Sequence, residues 1–110
     1  MNAEEYVENV RHEVFDELYN YYFESLPTPI KGPEKYWLAS KKLYHSLNEE
    51  QKEQLKMFTK LVMTDVVSTI FSKLDNVSSY ANQEGCFELR LDGKVINGDL
   101  QEYFFMNGEE

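Results

Sequence analysis

The sequence predicts a mostly α-helical, α+β fold: a three-helix core with a C-terminal β-hairpin and a short terminal helix. Three observations predict it. Apolar residues recur at three- and four-residue spacing over three long stretches. A proline-rich connector and a capping signature divide those stretches. Asp92-Gly93 lies at the centre of a segment that alternates apolar and polar residues.

Within residues 3–25, Val7, Val10, Val14, Leu18 and Tyr21 fall on one helical face, and Glu5, Glu8, Asn9, His12, Glu13 and Asp16 occupy the other. Acids crowd the first turn, where the helix dipole favours them. Phe15, Tyr19, Tyr22 and Phe23 widen the apolar face, so this helix must meet two neighbours or leave aromatic area exposed. The stretch LPTPIKGPEK holds three prolines and a glycine, which makes it an extended connector. Pro33 suits the first turn of a second helix, PEKYWLASKKLYHSL, with Tyr36, Trp37, Ser40, Leu43, Tyr44 and Leu47 inward and Lys35, Lys41 and Lys42 outward.

Asn48, with Gln51 three positions on, has the form of a capping box, so a third helix starts there and runs to about Leu74. Leu55, Phe58, Leu61 and Val62 make its first half amphipathic. Val66, Val67, Ile70, Phe71 and Leu74 make its second half apolar on most sides, the mark of a central helix packed by several elements. DNVSSYANQEG is turn-rich and reads as a loop. In CFELRLDGKVIN a two-residue turn pairs Leu91 with Lys94, Arg90 with Val95 and Leu89 with Ile96, leaving Phe87, Leu89 and Ile96 on the inner face. Asp99 and Glu102 fit a capping box before DLQEYFFM. Two strands are not stable alone, so this hairpin must lean on the helices.

A chain of 110 residues, 42% of them hydrophobic, suits one globular domain over 1–110. Its formal net charge of −9 opposes direct binding to nucleic acid. The charge is uneven. Residues 1–25 carry seven acids against Arg11, net −6; residues 26–60 carry seven lysines against four glutamates, net +3; residues 61–110 carry nine acids against three bases, net −6. No apolar run approaches the roughly 18 residues of a membrane span, and MNAEEYVENV is acidic where a secretory signal would be basic. A soluble, cytoplasmic chain with no membrane partner is expected. The single Cys86 cannot form an internal disulfide, in keeping with a reducing compartment.

Few residues offer chemistry. Glu8, His12 and Asp16 follow at i, i+4 and i+8, but on a polar helix face such groups form solvated pairs rather than a metal site. DGKVINGD lacks the closing glutamate of a calcium loop and is explained by a hairpin turn followed by a helix cap. Cys86 sits in no recognised nucleophile context, and the glycine patterns of phosphate and dinucleotide sites are absent. No metal or cofactor is implied, and no catalytic residues are assigned. Asp65 stands apart, because it falls between Phe58, Leu61, Val62 and Thr69 in the apolar sector of the third helix. It is the candidate buried polar group, anchoring the core through bonds to a Tyr, a Trp or amides of the connector.

In size, charge and aromatic content the chain resembles the small acidic immunity proteins that bacteria make against cognate nuclease or other toxins. The resemblance implies a cytoplasmic inhibitor whose carboxylates meet a basic toxin surface while buried aromatics hold the complex. The partner-binding candidates are Glu8, Glu13, Asp16, Glu17, Tyr19 and Phe23, and the partner is a basic protein. A second reading is a small enzyme or ligand-binding domain with Asp65 in an aromatic pocket. A third is a homo-oligomeric structural protein, a homodimer being one form, that self-associates through the aromatic face of the first helix.

Overall fold

The two capping boxes that start the first and fourth α-helices set the frame. In a computed structural model, which describes residues 1–108, the Asn2 side chain accepts from the Glu5 amide at 2.8 Å while Glu5 accepts from the Asn2 amide at 2.9 Å. Asn48 and Gln51 repeat this reciprocal pair. Between the boxes lie α1 (Ala3–Val10), a π-helical turn (Arg11–Asp16), α2 (Glu17–Ser25) and α3 (Lys35–Ser46); after them come α4 (Glu49–Leu74), β1 (Arg90–Leu91), β2 (Lys94–Val95) and α5 (Leu100–Asn107). The protein is mostly helical, with one small antiparallel hairpin and a short terminal helix, as the sequence predicts.

The π turn changes which face of the first arm is inward. A strict α-helix would bury Val7, Val10, Val14, Leu18 and Tyr21. Instead Val7, Arg11 and Phe15 are buried, Tyr19, Tyr22 and Phe23 are half-buried, and Val14, Leu18 and Tyr21 are exposed. A π turn takes more residues than the 3.6 of an α turn, so an inward row spaced by four stays in line. The core that results joins Val7 and Phe15 to Phe71 of α4 and to Leu100 and Phe104 of α5. Phe104 is its hub, 5.8 Å from the Phe71 ring centroid and 6.0 Å from that of Phe15.

α3 departs from its predicted face too. Tyr36 and Leu43 are exposed, and the inner row is Trp37, Lys41 and Tyr44. Lys41 serves there because its ammonium reaches the Pro29 carbonyl of the connector at 3.3 Å while its stem lies inward. Trp37 packs on Tyr21 and Tyr22, and Tyr44 on Phe23, so α3 forms an aromatic annex beside α2.

α4 differs most from expectation. Its C-terminal half packs on α1 and α5 through Phe71 and through the half-buried Met63, Val67 and Leu74, yet Phe58, Leu61, Val62, Val66 and Ile70 are exposed. Only part of the helix circumference is covered. Accordingly the Cα radius of gyration is 17.4 Å, where a compact chain of this length has about 13 Å.

The end of α4 is built like a fitting. Asn76, at φ 63°, follows the Asp75 cap, and the Val77 and Asn76 amides bond back to Ser72 and Lys73 carbonyls, a Schellman closure. The Asn76 side chain then accepts from the Phe87 amide at 2.8 Å and donates to its carbonyl at 3.0 Å. Asn97 adds bonds to the Leu74 and Phe87 carbonyls and to the Leu89 amide. The hairpin therefore leans on α4 through asparagines. Its register is the expected one, Arg90 opposite Val95 and Leu91 opposite Lys94, with the Ile96 amide on the Leu89 carbonyl. Asn76→Ala should cost about 2 kcal/mol in chemical denaturation and Asn76→Gly about half that, because glycine relieves the left-handed backbone while losing the same two bonds.

Candidate binding surface

The side chains proposed from sequence to touch a partner separate into two groups. Glu8, Glu13 and Glu17 are exposed on the first arm, and none of them pairs with a base among the described residues. Asp16 is half-buried and lies 3.3 Å from the exposed His12. Tyr19 and Phe23 are turned inward instead. Their ring centroids are 4.8 Å apart, Phe23 faces Tyr44, and lysines of α4 cover both, Lys60 over Tyr19 at 4.8 Å and Lys56 over Phe23 at 5.9 Å. Their aromatic area serves the joint between α2, α3 and α4. The adjoining Glu53 carboxylate, hydrogen-bonded at 3.3 Å, holds the Lys56 pKa above its ordinary value.

Asp65 is exposed, which corrects its assignment as the buried polar group. The wheel argument placed it correctly among Phe58, Leu61, Val62 and Thr69; that whole sector faces outward. The buried carboxylate is Asp75, in a segment whose turn-rich composition reads as a loop. Its Oδ1 accepts from the Gly98 amide at 2.7 Å and the Leu100 amide at 3.0 Å, and Oδ2 accepts from the Gln101 amide at 2.8 Å. Asp75 thus caps α5 from the end of another helix. Asp99, the cap expected from sequence, makes no side-chain cap bond. A signal for Asp75 was present only in part: an acid just past an apolar helix is common, and its three amides lie 23 to 26 residues away.

Two clefts lie beside the first arm. One, of about 390 Å³, is lined by Tyr22, Phe23, Trp37, Leu55 and Thr59 with Glu34 at its rim. Both Glu34 oxygens are engaged by the Tyr36 and Trp37 amides at 2.9 and 2.7 Å, capping α3. The other, of about 470 Å³, lies between the π turn, α4 and the end of α5, with Arg11, His12, Asp16 and Lys60 on its walls. Neither contains Asp65, His45 or Cys86. His45 bonds the Thr28 carbonyl at 3.0 Å, and Cys86 is exposed ahead of the hairpin. Among the described residues, no group of three or more His, Cys, Asp or Glu side chains could hold a metal ion, and no helix is long and apolar enough to cross a membrane.

What the surface does offer is uncovered apolar area. Phe58 is 60% exposed, Leu61 56% and Val66 53%, on a single helix face. No protein-family model, curated protein or solved structure matches the chain. The accessible area is 7839 Å², against about 6,300 Å² for a compact protein of 13.0 kDa. An excess of about 1,500 Å² is close to twice the roughly 800 Å² that each partner contributes to a stable protein interface.

Proposed function

We propose that this protein acts by binding another protein, and that it performs no catalysis of its own. The observation that carries the reading is the exposed acidic row Glu8, Glu13 and Glu17, paired with no base among the described residues, in a chain with far more surface than its mass requires. The net charge of −9 gives the external partner its character, a basic protein. Glu8, Glu13 and Glu17, exposed and without a basic partner among the described residues, steer its approach, with Asp16 beside them. In its finer form this is the masking role of a cytoplasmic inhibitor of the immunity-protein type. The protein would cover a basic functional surface of its target.

The experiment is affinity capture with the tagged full chain from its native cells at low and at high salt, run beside a Glu8→Ala/Glu13→Ala/Glu17→Ala variant. One basic protein, held stoichiometrically at low salt, released at high salt and lost by the variant, is the expected result. Association of that partner should slow about tenfold in the variant at low ionic strength and lose most of its salt dependence. A partner retained by the variant at low salt would move the contact off this surface.

A further inference from the structure

We propose that α4 is a dimerisation helix, across whose uncovered face a second copy of the chain packs antiparallel. This surface is separate from the acids of the first arm. Phe58, Val62, Val66 and Ile70 are four residues apart, so they form one continuous ridge of the kind that seats in the groove of a neighbouring helix. All four are exposed. Leu61, Asp65 and Thr69 make the adjoining ridge, also exposed, and the groove between the two ridges is ready to receive one.

Three features identify the occupant as a second copy. The first is symmetry of spacing. About position 64, Phe58 mirrors Ile70 and Val62 mirrors Val66, so a two-fold axis there sets each residue of the ridge against an apolar residue of the other copy. Such an isologous contact is self-complementary by construction.

The second is charge. From Met57 to Ser72 the helix carries only Lys60 and Asp65, net zero in a chain of −9, so two copies meet there without pressing acidic surfaces together.

The third is area. The surplus surface of about 1,500 Å² per chain accommodates the roughly 800 Å² per partner of a stable dimer and leaves the first arm free for a basic protein. Asp65 has a defined part in this contact. It lines the groove, and docking strips water from its carboxylate, which holds the affinity below what the apolar ridge alone would give.

Sedimentation velocity of the full chain across the micromolar range tests the proposal. The wild-type chain should sediment as a dimer. Val66→Glu, a change at an exposed position, should weaken self-association by about 100-fold or more with unchanged far-UV circular dichroism, and Asp65→Leu should tighten it about tenfold. In a Cys86→Ser background, mixing Val62→Cys chains with Val66→Cys chains should give the mixed disulfide in preference to either symmetric one. Wild-type and Asp65→Leu chains that both remain monomeric at about 100 μM would overturn the proposal, since interfaces of this size associate well below that. A predominant symmetric Val62→Cys disulfide would overturn the antiparallel order. A monomer that loses a different captured protein on Val66→Glu would overturn the second copy as occupant. The Glu8→Ala/Glu13→Ala/Glu17→Ala chain should still dimerise, so the two readings fail separately.

Discussion

Replacing Asp75 by alanine should cost about 4 kcal/mol of folding stability, the largest effect expected of any single side chain here. One carboxylate serves three backbone amides, those of Gly98, Leu100 and Gln101, at 2.7 to 3.0 Å, and Asp75 is only 8% exposed. Hydrogen bonds to a charged acceptor contribute more than neutral ones, and the amides left behind cannot all turn to water because Leu100 is fully buried. The carboxylate also sits at the start of α5, where the helix dipole favours negative charge. Alanine would therefore release α5, and with it Phe104, from the core. Asparagine is the informative intermediate. It keeps one oxygen for the Gly98 and Leu100 amides but turns an NH₂ toward the Gln101 amide, and about half the loss should follow. Urea unfolding followed by circular dichroism reads both values. An alanine variant within 1 kcal/mol of wild type would mean that Asp99 takes over the cap.

This carboxylate also shows what the sequence made legible and what it did not. Local rules succeeded where the partners are close in the chain. The Asn48 capping box spans three residues, and the hairpin register follows from a two-residue turn, with Asp92 at φ 51° and Gly93 at φ 78°. They failed where a remote element intervenes. Asp99 was the better cap by spacing, yet its backbone at φ −126°, ψ 20° leaves the extended range usual for caps, and Asp75 reaches in instead. Periodicity misplaced the face of the first arm because it assumes 3.6 residues per turn, and a π turn at Arg11–Asp16 breaks that assumption. For α4 the periodicity was informative in another way. A helix apolar on most sides calls for cover on most sides, and one copy of the chain supplies cover on part of it. The acidic candidates Glu8, Glu13 and Glu17 lie at the surface as read, whereas Tyr19 and Phe23 turn inward under Lys60 and Lys56 of α4, with Phe23 also against Tyr44 of α3, and no local pattern encodes where those helices lie.

Arg11 explains the π turn, and its replacement should give the second large effect, about 3 kcal/mol for Arg11→Ala. It is the one base in the first 25 residues and it is buried. Its guanidinium lies 3.8 Å from the Phe104 ring centroid and 4.6 Å from that of Phe15, and Nη2 donates to the Phe104 carbonyl at 2.9 Å. That carbonyl belongs to the last turn of α5, where it also accepts from the Gly108 amide at 3.1 Å and where the helix dipole favours a cation. In regular α-helix the row Val7, Arg11, Phe15 would drift off the core; the wider turn keeps the arginine pointed at α5. Arg11→Met keeps most of the packed stem and should lose about half as much, while Arg11→Lys should fare little better than methionine, since an ammonium cannot stack on two rings and also reach the carbonyl. Gly108 gives the independent check. A Cβ there would run into Arg11 Nη2, so Gly108→Ala should destabilise the wild-type chain by about 1 kcal/mol, yet cost almost nothing once Arg11 is alanine. Urea denaturation of the two single variants and the double variant measures that coupling. Additive losses would show that Gly108 is needed for the backbone alone and that the arginine does not fix the end of α5.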